Sequence, residues 1–122
     1  MAASLASGQV AVNDTRHKNA QILPDWLLKT NIRIHDPTFC RTTDNMICGG
    51  DAGRGTGPGD SGGPVVVKHG GSWWQVGIHN AGSALLERKM HQDRYPSFFA
   101  RAKSFCAWIE KKLNMQICIS QV

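Results

Sequence analysis

The chain has 122 residues, which is the length of one domain or of part of a larger one. Hydrophobic residues make up 41% and charged residues 19%, so the composition is that of a globular protein and excludes a disordered chain. No apolar run approaches the roughly 18 residues of a membrane span, and the net charge of +5 comes from scattered Lys and Arg residues rather than from a basic cluster. We therefore expect neither a membrane nor a nucleic acid as a partner.

The first half of the chain contains short strand-like runs and one long loop. Residues 1–20 show no clear period. "NIRI" (31–34) alternates and predicts a strand, and "DNMICGG" (44–50) is a short apolar run closed by glycines. Residues 49–63 are so rich in glycine that they predict a long irregular loop.

The second half begins with a predicted β-hairpin. The runs "PVVVKH" (64–69) and "WWQVGIHN" (73–80) lie on either side of a glycine pair, as two strands joined by a tight turn would. Residues 81–96 are polar and irregular, and "SFFARA" (97–102) is a further candidate strand. Short strands with turn signals favour a small β-barrel or sandwich.

The end of the chain predicts an amphipathic helix over residues 103–115. Its apolar residues fall on one helical stripe, and Ser104 could cap its start. The stripe consists of Phe105, Trp108, Ile109 and Leu113. We expect this helix to lie on the body of strands.

Four cysteines, Cys40, Cys48, Cys106 and Cys118, divide into two short-range pairs. None has the spacing of a zinc site, and an even number suits disulfides and an oxidising, extracellular compartment. The opening "MAASLASG" is a poor secretory signal, because it is short and lacks a cationic start. Twelve residues of unbroken helix span about 18 Å, so a Cys106–Cys118 bond would require the helix to end before Cys118.

The stretch "GPGDSGGPVVV" (57–67) places an acid next to a serine on a glycine-rich backbone. It fits the G-x-S-x-G elbow of α/β-hydrolases, which requires an acid and then a histidine downstream. Only Glu87 followed by His91 keeps that order, and they are too close in sequence to come from separate loops. The flanking elements also lack alternating helices and strands, so this interpretation is disfavoured.

"GDSGGP", followed by a valine run, a hairpin and a final "W-I" helix, resembles the chymotrypsin/trypsin-like serine protease family. "DNMICGG" (44–50) is similar to the segment before the active-site loop of that family, and "PSFFARA" (96–102) to its last strand. "ASGQV" (6–10) is similar to a worn form of its A-S-G-W-G stretch. The resemblance implies an all-β fold, the second antiparallel Greek-key β-barrel of a two-barrel protease (about 1–102) with a C-terminal α-helix (about 103–115). The whole chain, 1–122, would then be a partial protease domain.

The resemblance to this family implies that Ser61 is the nucleophile of a serine endopeptidase. The backbone N–H groups of Gly59 and Ser61 would form the oxyanion hole. Asp60 would be a latch that pairs with the new N-terminus created by zymogen cleavage. Cys40–Cys48 matches a family loop disulfide, whereas Cys106–Cys118 does not match the usual set.

A serine hydroxyl needs a histidine to take its proton. The family's histidine and aspartate lie on the first barrel, and neither His17 nor His35 has the family's context. We therefore expect this chain alone to be inactive, with the missing N-terminal barrel as a partner and a polypeptide substrate or protein inhibitor as ligand. No cofactor or metal is expected. The alternative is a non-catalytic protease homologue that acts as a binding module.

The resemblance also indicates the residues of the specificity pocket. Gly55 stands where trypsin-like members carry an aspartate, so specificity for Arg or Lys is not expected. Gly82 and Ser97 would be small wall residues, and an open neutral pocket suits apolar or aromatic side chains. His79 precedes Asn80-Ala81, which replace the family's Ser-Trp, and is expected to be a partly buried histidine.

Overall fold

The structure is a computed structural model that describes residues 2–6, 8, 10–12, 20–83 and 85–118. These described residues contain eight strands, with three short helices and one 3₁₀ turn between or after them. The strands are β1 (Ala2–Ala6), β2 (Val10–Val12), β3 (Ala20–Ile22), β4 (Leu28–Ile32), β5 (Met46–Gly49), β6 (Pro64–His69), β7 (Ser72–Ala81) and β8 (Ser97–Arg101). The helices are α1 (Pro37–Cys40), α2 (Leu86–Lys89) and α3 (Cys106–Leu113), and the 3₁₀ turn covers Ala102–Phe105.

Six of the strands form one sheet in the order β4-β1-β6-β7-β8-β5, with every neighbouring pair antiparallel. Strands β6, β7 and β8 are consecutive neighbours in the sheet. Strand β5, which precedes β6 in the chain, lies on the far side of β8, and this is a Greek-key arrangement. The remaining strands, β2 and β3, pair with each other. The prediction of an all-β antiparallel fold with a C-terminal helix is confirmed.

The two edges of the sheet meet where the chain leaves β4. Ile34 forms a β-bridge with Gly49 of β5, and the His35 amide donates to the Cys48 carbonyl at 2.9 Å. The Gly50 amide donates to the Arg33 carbonyl, also at 2.9 Å. These bonds curl the sheet into a barrel, so both edges find backbone partners.

The hairpin of β6 and β7 follows from its turn residues. Gly70 and Gly71 both have positive φ, 58° and 81°, which suits the twist of a tight hairpin and which residues with a side chain rarely adopt. Alternate residues of the strands then face the barrel interior. The fully enclosed core consists of Ala2, Ile32, Val65 and Phe99, with Ile34, Ile47, Val67 and Val76 packed against it.

The end of the chain folds back as the cysteine spacing required. Helix α3 ends at Leu113, its C-cap residue Asn114 has a left-handed φ of 51°, and Cys118 forms a disulfide with Cys106. The Glu110 carboxylate accepts hydrogen bonds from the amides of Ile117 and Cys118, which fixes the returning tail. The second disulfide joins Cys40 to Cys48.

The prediction that Ser104 caps the helix was wrong. Residues 102–105 form the 3₁₀ turn, so Ser104 lies within it, and its hydroxyl donates to the carbonyl of Asp44 instead. The predicted stripe is also largely uncovered. Trp108 is 63% exposed and Leu113 56% exposed, whereas Ile109 is partly buried at the end of the barrel.

Residues 50–63 contain no strand or helix, as the glycine content predicted. Among the helices that the structure describes, none has the length and apolar character to cross a membrane. The same described residues contain no cluster of three or more His, Cys, Asp or Glu side chains suited to a metal ion.

Candidate functional site

Ser61 lies in the second of two successive tight turns, residues 57–60 and 60–63, of the loop that precedes β6. The Asp60 amide donates to the Gly57 carbonyl at 3.1 Å, and the Gly63 amide donates to the Asp60 carbonyl at 2.9 Å. Gly59 and Gly62 have φ of 91° and 82°, a left-handed backbone that strongly favours glycine. The turns therefore present the Ser61 side chain to solvent.

Two further bonds attach this loop to β7. The Gly62 amide donates to the His79 carbonyl, and the His79 amide donates to the Gly63 carbonyl, both at 2.9 Å. The strand that carries His79 thus fixes the backbone directly after Ser61. The amides of Gly59 and Ser61 donate to no acceptor in the part of the chain that the structure describes.

The Asp60 carboxylate accepts hydrogen bonds from two backbone amides. One oxygen accepts from Gly57 at 2.7 Å and the other from Gly8 at 2.9 Å. A Cβ atom on Gly8 would lie 2.3 Å from that second oxygen, so this close approach requires glycine. Asp60 therefore ties the Ser61 loop both to itself and to the segment after β1.

The described histidines offer Ser61 no hydrogen-bonded base. His35 bonds the Gly50 carbonyl through Nε2 at 2.9 Å, and its ring lies 5.0 Å from that of Phe39. Both ring nitrogens of His79 are buried, and among the described residues neither bonds the Ser61 hydroxyl. The other upstream histidine of the sequence analysis, His17, lies outside the described residues.

His79 is 7% exposed, which agrees with the prediction of a buried histidine. Its ring is 5.7 Å from that of Phe99 in the core. Burial lowers the pKa of His79, and Asp60 offsets this only in part, through its negative charge and through a hydrogen bond with its backbone. The imidazole is therefore neutral at neutral pH.

A cavity of about 270 Å³ opens beside Ser61. Its walls come from the Ser61 loop, from the end of β7 and from helix α2. The lining residues are Thr56, Gly57, Pro58, Ser61, His79, Asn80, Ala81, Gly82, Ser83 and Lys89. Of the three predicted pocket residues, Gly82 lines this cavity, whereas Gly55 and Ser97 do not.

The side chain of Gln92 connects the predicted pocket residues and fills the space between them. A Cβ atom on Gly55 would lie 2.0 Å from its amide oxygen, and a Cβ atom on Gly82 would lie 3.2 Å from the Ser97 hydroxyl. The amide of Gln92 accepts from the Ser97 hydroxyl at 2.7 Å and from the Thr56 amide at 3.3 Å, and donates to the Thr56 carbonyl at 2.7 Å. The pocket is thus closed at Gly55 by a buried polar network rather than open there.

Sequence reasoning missed three residues of this site, namely Gln92, Thr56 and Lys89. Gln92 and Lys89 come from the polar stretch 81–96, which has no period or motif that would place a side chain on the Ser61 loop. Thr56 is one position from the predicted Gly55 and donates its hydroxyl to Ser97 at 2.6 Å. The one indication in the sequence was that Thr56 and Gln92 lie close in sequence to the predicted pocket residues Gly55 and Ser97. Closeness in sequence does not determine where a side chain points.

The family model of the trypsin domain matches residues 5–109. The chain belongs to the trypsin family. It is 38% identical over 92 residues to Serine protease 1 and to Serine protease 2 of Drosophila melanogaster, matches that cover 71% of this chain and 32% of each relative. It is 39% identical over 71 residues to Serine protease 28 of Mus musculus, covering 58% of this chain and 24% of that protein. The matched region therefore spans about a third or less of the length of these trypsin-family relatives.

Proposed function

We propose that this chain is the nucleophile-bearing barrel of a serine endopeptidase, a partial protease domain in which Ser61 attacks the peptide carbonyl and forms an acyl-enzyme. The observation that carries the proposal is the Ser61 loop itself. It exposes the Ser61 side chain on a tight turn and leaves the amides of Gly59 and Ser61 without acceptors among the described residues. Family membership supports the same reaction class.

The free amides suit an oxyanion hole. A tetrahedral intermediate develops negative charge on the former carbonyl oxygen, and preorganised N–H donors stabilise that charge by roughly 3–4 kcal/mol each. Gly59 contributes because its φ of 91° turns the peptide in a direction that other residues resist. Asp60 holds the loop in this shape through the Gly8 and Gly57 amides, and in this proposal its carboxylate becomes a latch when it pairs with the new N-terminus that zymogen cleavage creates.

The general base and its acid come from a first barrel, outside this chain. Among the described residues His79 makes no hydrogen bond to Ser61, and the His35 ring is engaged by the Gly50 carbonyl. In a comparable serine protease, loss of the histidine lowers the rate by about 10⁶, or roughly 8–9 kcal/mol of barrier. The 122-residue chain alone is therefore inactive in this proposal.

An exposed apolar segment supports a partner barrel. Leu23 is 66% exposed, Trp26 79% and Leu27 68%, and all three lie within residues 23–27, just before β4. Such contiguous apolar exposure is characteristic of an interaction surface. The proposal also includes secretion, because two disulfides form and persist in oxidising compartments.

Hydrolysis of a peptide library by a longer protein that adds the upstream coding sequence tests the proposal. We expect cleavage that Ser61→Ala abolishes and that Ser72→Ala, the same substitution at an exposed residue of the β6–β7 hairpin, leaves intact. The 122-residue chain assayed in parallel should show no cleavage.

The alternative is a non-catalytic homologue that binds peptides without cleaving them. This alternative uses the same residues of this chain as the endopeptidase does, but the histidine of the upstream barrel would be replaced by another residue. A longer protein that binds peptides, carries no histidine in an Ala-Ala-His-Cys context and shows no Ser61-dependent cleavage would establish the alternative and refute the endopeptidase.

A further inference from the structure

The cavity beside Ser61 is shallow. Its volume is about 270 Å³, which is less than the roughly 300 Å³ at which pockets for small ligands begin. Thr56 lines the cavity, whereas Gly55 and Gln92, which lie beyond Thr56, do not. Thr56 and the side chain bonded to it therefore form the floor of the cavity.

Gln92 supports that floor from behind and is held in place. Its side chain is buried, with 4% exposure. Its amide oxygen accepts from the Thr56 amide at 3.3 Å and from the Ser97 hydroxyl at 2.7 Å, and its amide nitrogen donates to the Thr56 carbonyl at 2.7 Å. A side chain that displaced Gln92 would break all three hydrogen bonds and leave buried polar groups without partners.

No space remains between Gln92 and the backbone around it. A Cβ atom on Gly55 would lie 2.0 Å from the Gln92 amide oxygen and 2.2 Å from its amide carbon, and a Cβ atom on Gly50 would lie 2.5 Å from the Gln92 Cβ. The side chain is thus packed against two glycine backbones and has no room to retreat. Because interiors of this density resist even one extra methylene, a substrate side chain that extends past Thr56 is excluded.

The floor offers an entering side chain no free polar partner. The Thr56 hydroxyl donates to the Ser97 hydroxyl at 2.6 Å, and the Ser97 hydroxyl donates onward to Gln92. Within the described lining, Lys89 is the one charged residue, and its ammonium disfavours Lys and Arg side chains. Short, uncharged side chains suit such a site.

We propose that this cavity takes a short, uncharged side chain, such as that of Ala, Ser or Val, from the substrate residue whose carbonyl Ser61 attacks, and that Gln92 sets this limit. The inference rests on the proposed function and names its substrate class. Gln92 does not touch the reacting atoms, so it determines specificity through the depth of the cavity alone. The proposal keeps the apolar part of the preference expected from the sequence and replaces the aromatic part, because the pocket is closed at Gly55.

Peptide binding tests the size limit without requiring catalysis. The ¹⁵N-labelled chain is titrated with acetyl-Ala-Ala-Val-amide and with acetyl-Ala-Ala-Phe-amide, and the amide shifts of Thr56, Gly57 and Gly82 report occupation of the cavity. We expect the Val peptide to bind there at least about tenfold more tightly, the lower end of the discrimination that a pocket achieves for one methylene. Equal or tighter binding of the Phe peptide at these residues, or binding of neither peptide, would overturn the proposal.

Two substitutions of Gln92 separate the effect of space from that of hydrogen bonding. Gln92→Ala empties the space behind Thr56, so the ratio of Val-peptide to Phe-peptide affinity should fall by at least about tenfold. Gln92→Leu loses the same three hydrogen bonds but keeps the volume, so its ratio should stay within about threefold of the parent ratio. An unchanged ratio in Gln92→Ala, or an equal fall in both variants, would refute the role of Gln92. The parent ratio tests the size limit by itself, so the proposal stays refutable if Gln92→Ala does not fold.

These outcomes are separate from those of the proposed function. Ser61-dependent cleavage by the longer protein that is as efficient after Phe as after Val would remove the size limit and leave the endopeptidase. Selective binding of the Val peptide without such cleavage would leave the size limit and remove the endopeptidase.

Discussion

Replacement of Gln92 by Leu tests the buried polar network that closes the pocket. Gln92 is 4% exposed and makes three hydrogen bonds, two with the backbone of Thr56 and one with the Ser97 hydroxyl. Leu has a similar volume, so the substitution removes the polar contacts with little change in packing. At about 1 kcal/mol net for each hydrogen bond, we expect the free energy of unfolding to fall by about 3 kcal/mol.

Urea denaturation followed by tryptophan fluorescence measures this change. With a slope of about 1.5 kcal/mol per M, the midpoint should fall by about 2 M at unchanged slope. Gln75→Leu is the matched control, because Gln75 is exposed and makes one long hydrogen bond of 3.4 Å, and it should change stability by less than about 0.5 kcal/mol. A Gln92→Leu midpoint equal to that of Gln75→Leu would refute the network.

Three further predictions concern the loop, the tail and pH. Gly59→Ala forces a side chain into a φ of 91° and should destabilise the protein by about 1–3 kcal/mol in the same urea assay, and an unchanged midpoint would contradict the strain. Replacement of Cys106 and Cys118 by Ser removes a bond that closes a 12-residue loop and should lower the free energy of unfolding by about 3 kcal/mol, and a thermal midpoint equal to that of the parent chain would contradict this. Because burial lowers the pKa of His79, the unfolded state binds a proton first, so stability should be full above about pH 6.5 and decline as the pH falls below it. His79→Gln should flatten that decline, and an equally steep decline in the variant would assign it to other groups.

The sequence predicted the strands where local pattern decides the structure. The runs at 64–69 and 73–80 became β6 and β7 because a glycine pair can adopt two successive positive φ values, and the run "SFFARA" became β8. Strands β1 to β3 were not predicted, since residues 1–20 have no alternating pattern. Strand β1 pairs with β4 and β6, which are distant in sequence, whereas β2 and β3 pair with each other.

The sequence predicted the backbone turns around Ser61 but not the side chains that fill the neighbouring pocket. The glycine-rich motif indicated the turns around Ser61, because glycine is selected by φ, a local property. The contents of the pocket depend on tertiary packing instead. Gln92 reaches Gly55 from 37 positions away in the numbering, and nothing in its own neighbourhood indicates that contact.

The helix shows the same division between local and tertiary effects. The 3.6-residue period predicted α3, and the cysteine spacing required that it end before Cys118, as it does at Leu113. The stripe did not indicate what covers it, and Trp108 and Leu113 remain exposed. Ser104 failed as a cap because a 3₁₀ turn, which the sequence period does not resolve, precedes the helix.

Covalent labelling of Ser61 tests the central claim most directly. A fluorophosphonate probe reacts with a serine that a base has activated, and peptide mapping by mass spectrometry locates the adduct. The account predicts rapid labelling of Ser61 in the longer protein with its upstream barrel, and labelling about 10⁶ slower, and so undetectable, in the 122-residue chain. Protease-like labelling of Ser61 in the 122-residue chain would contradict the claim that its base lies elsewhere.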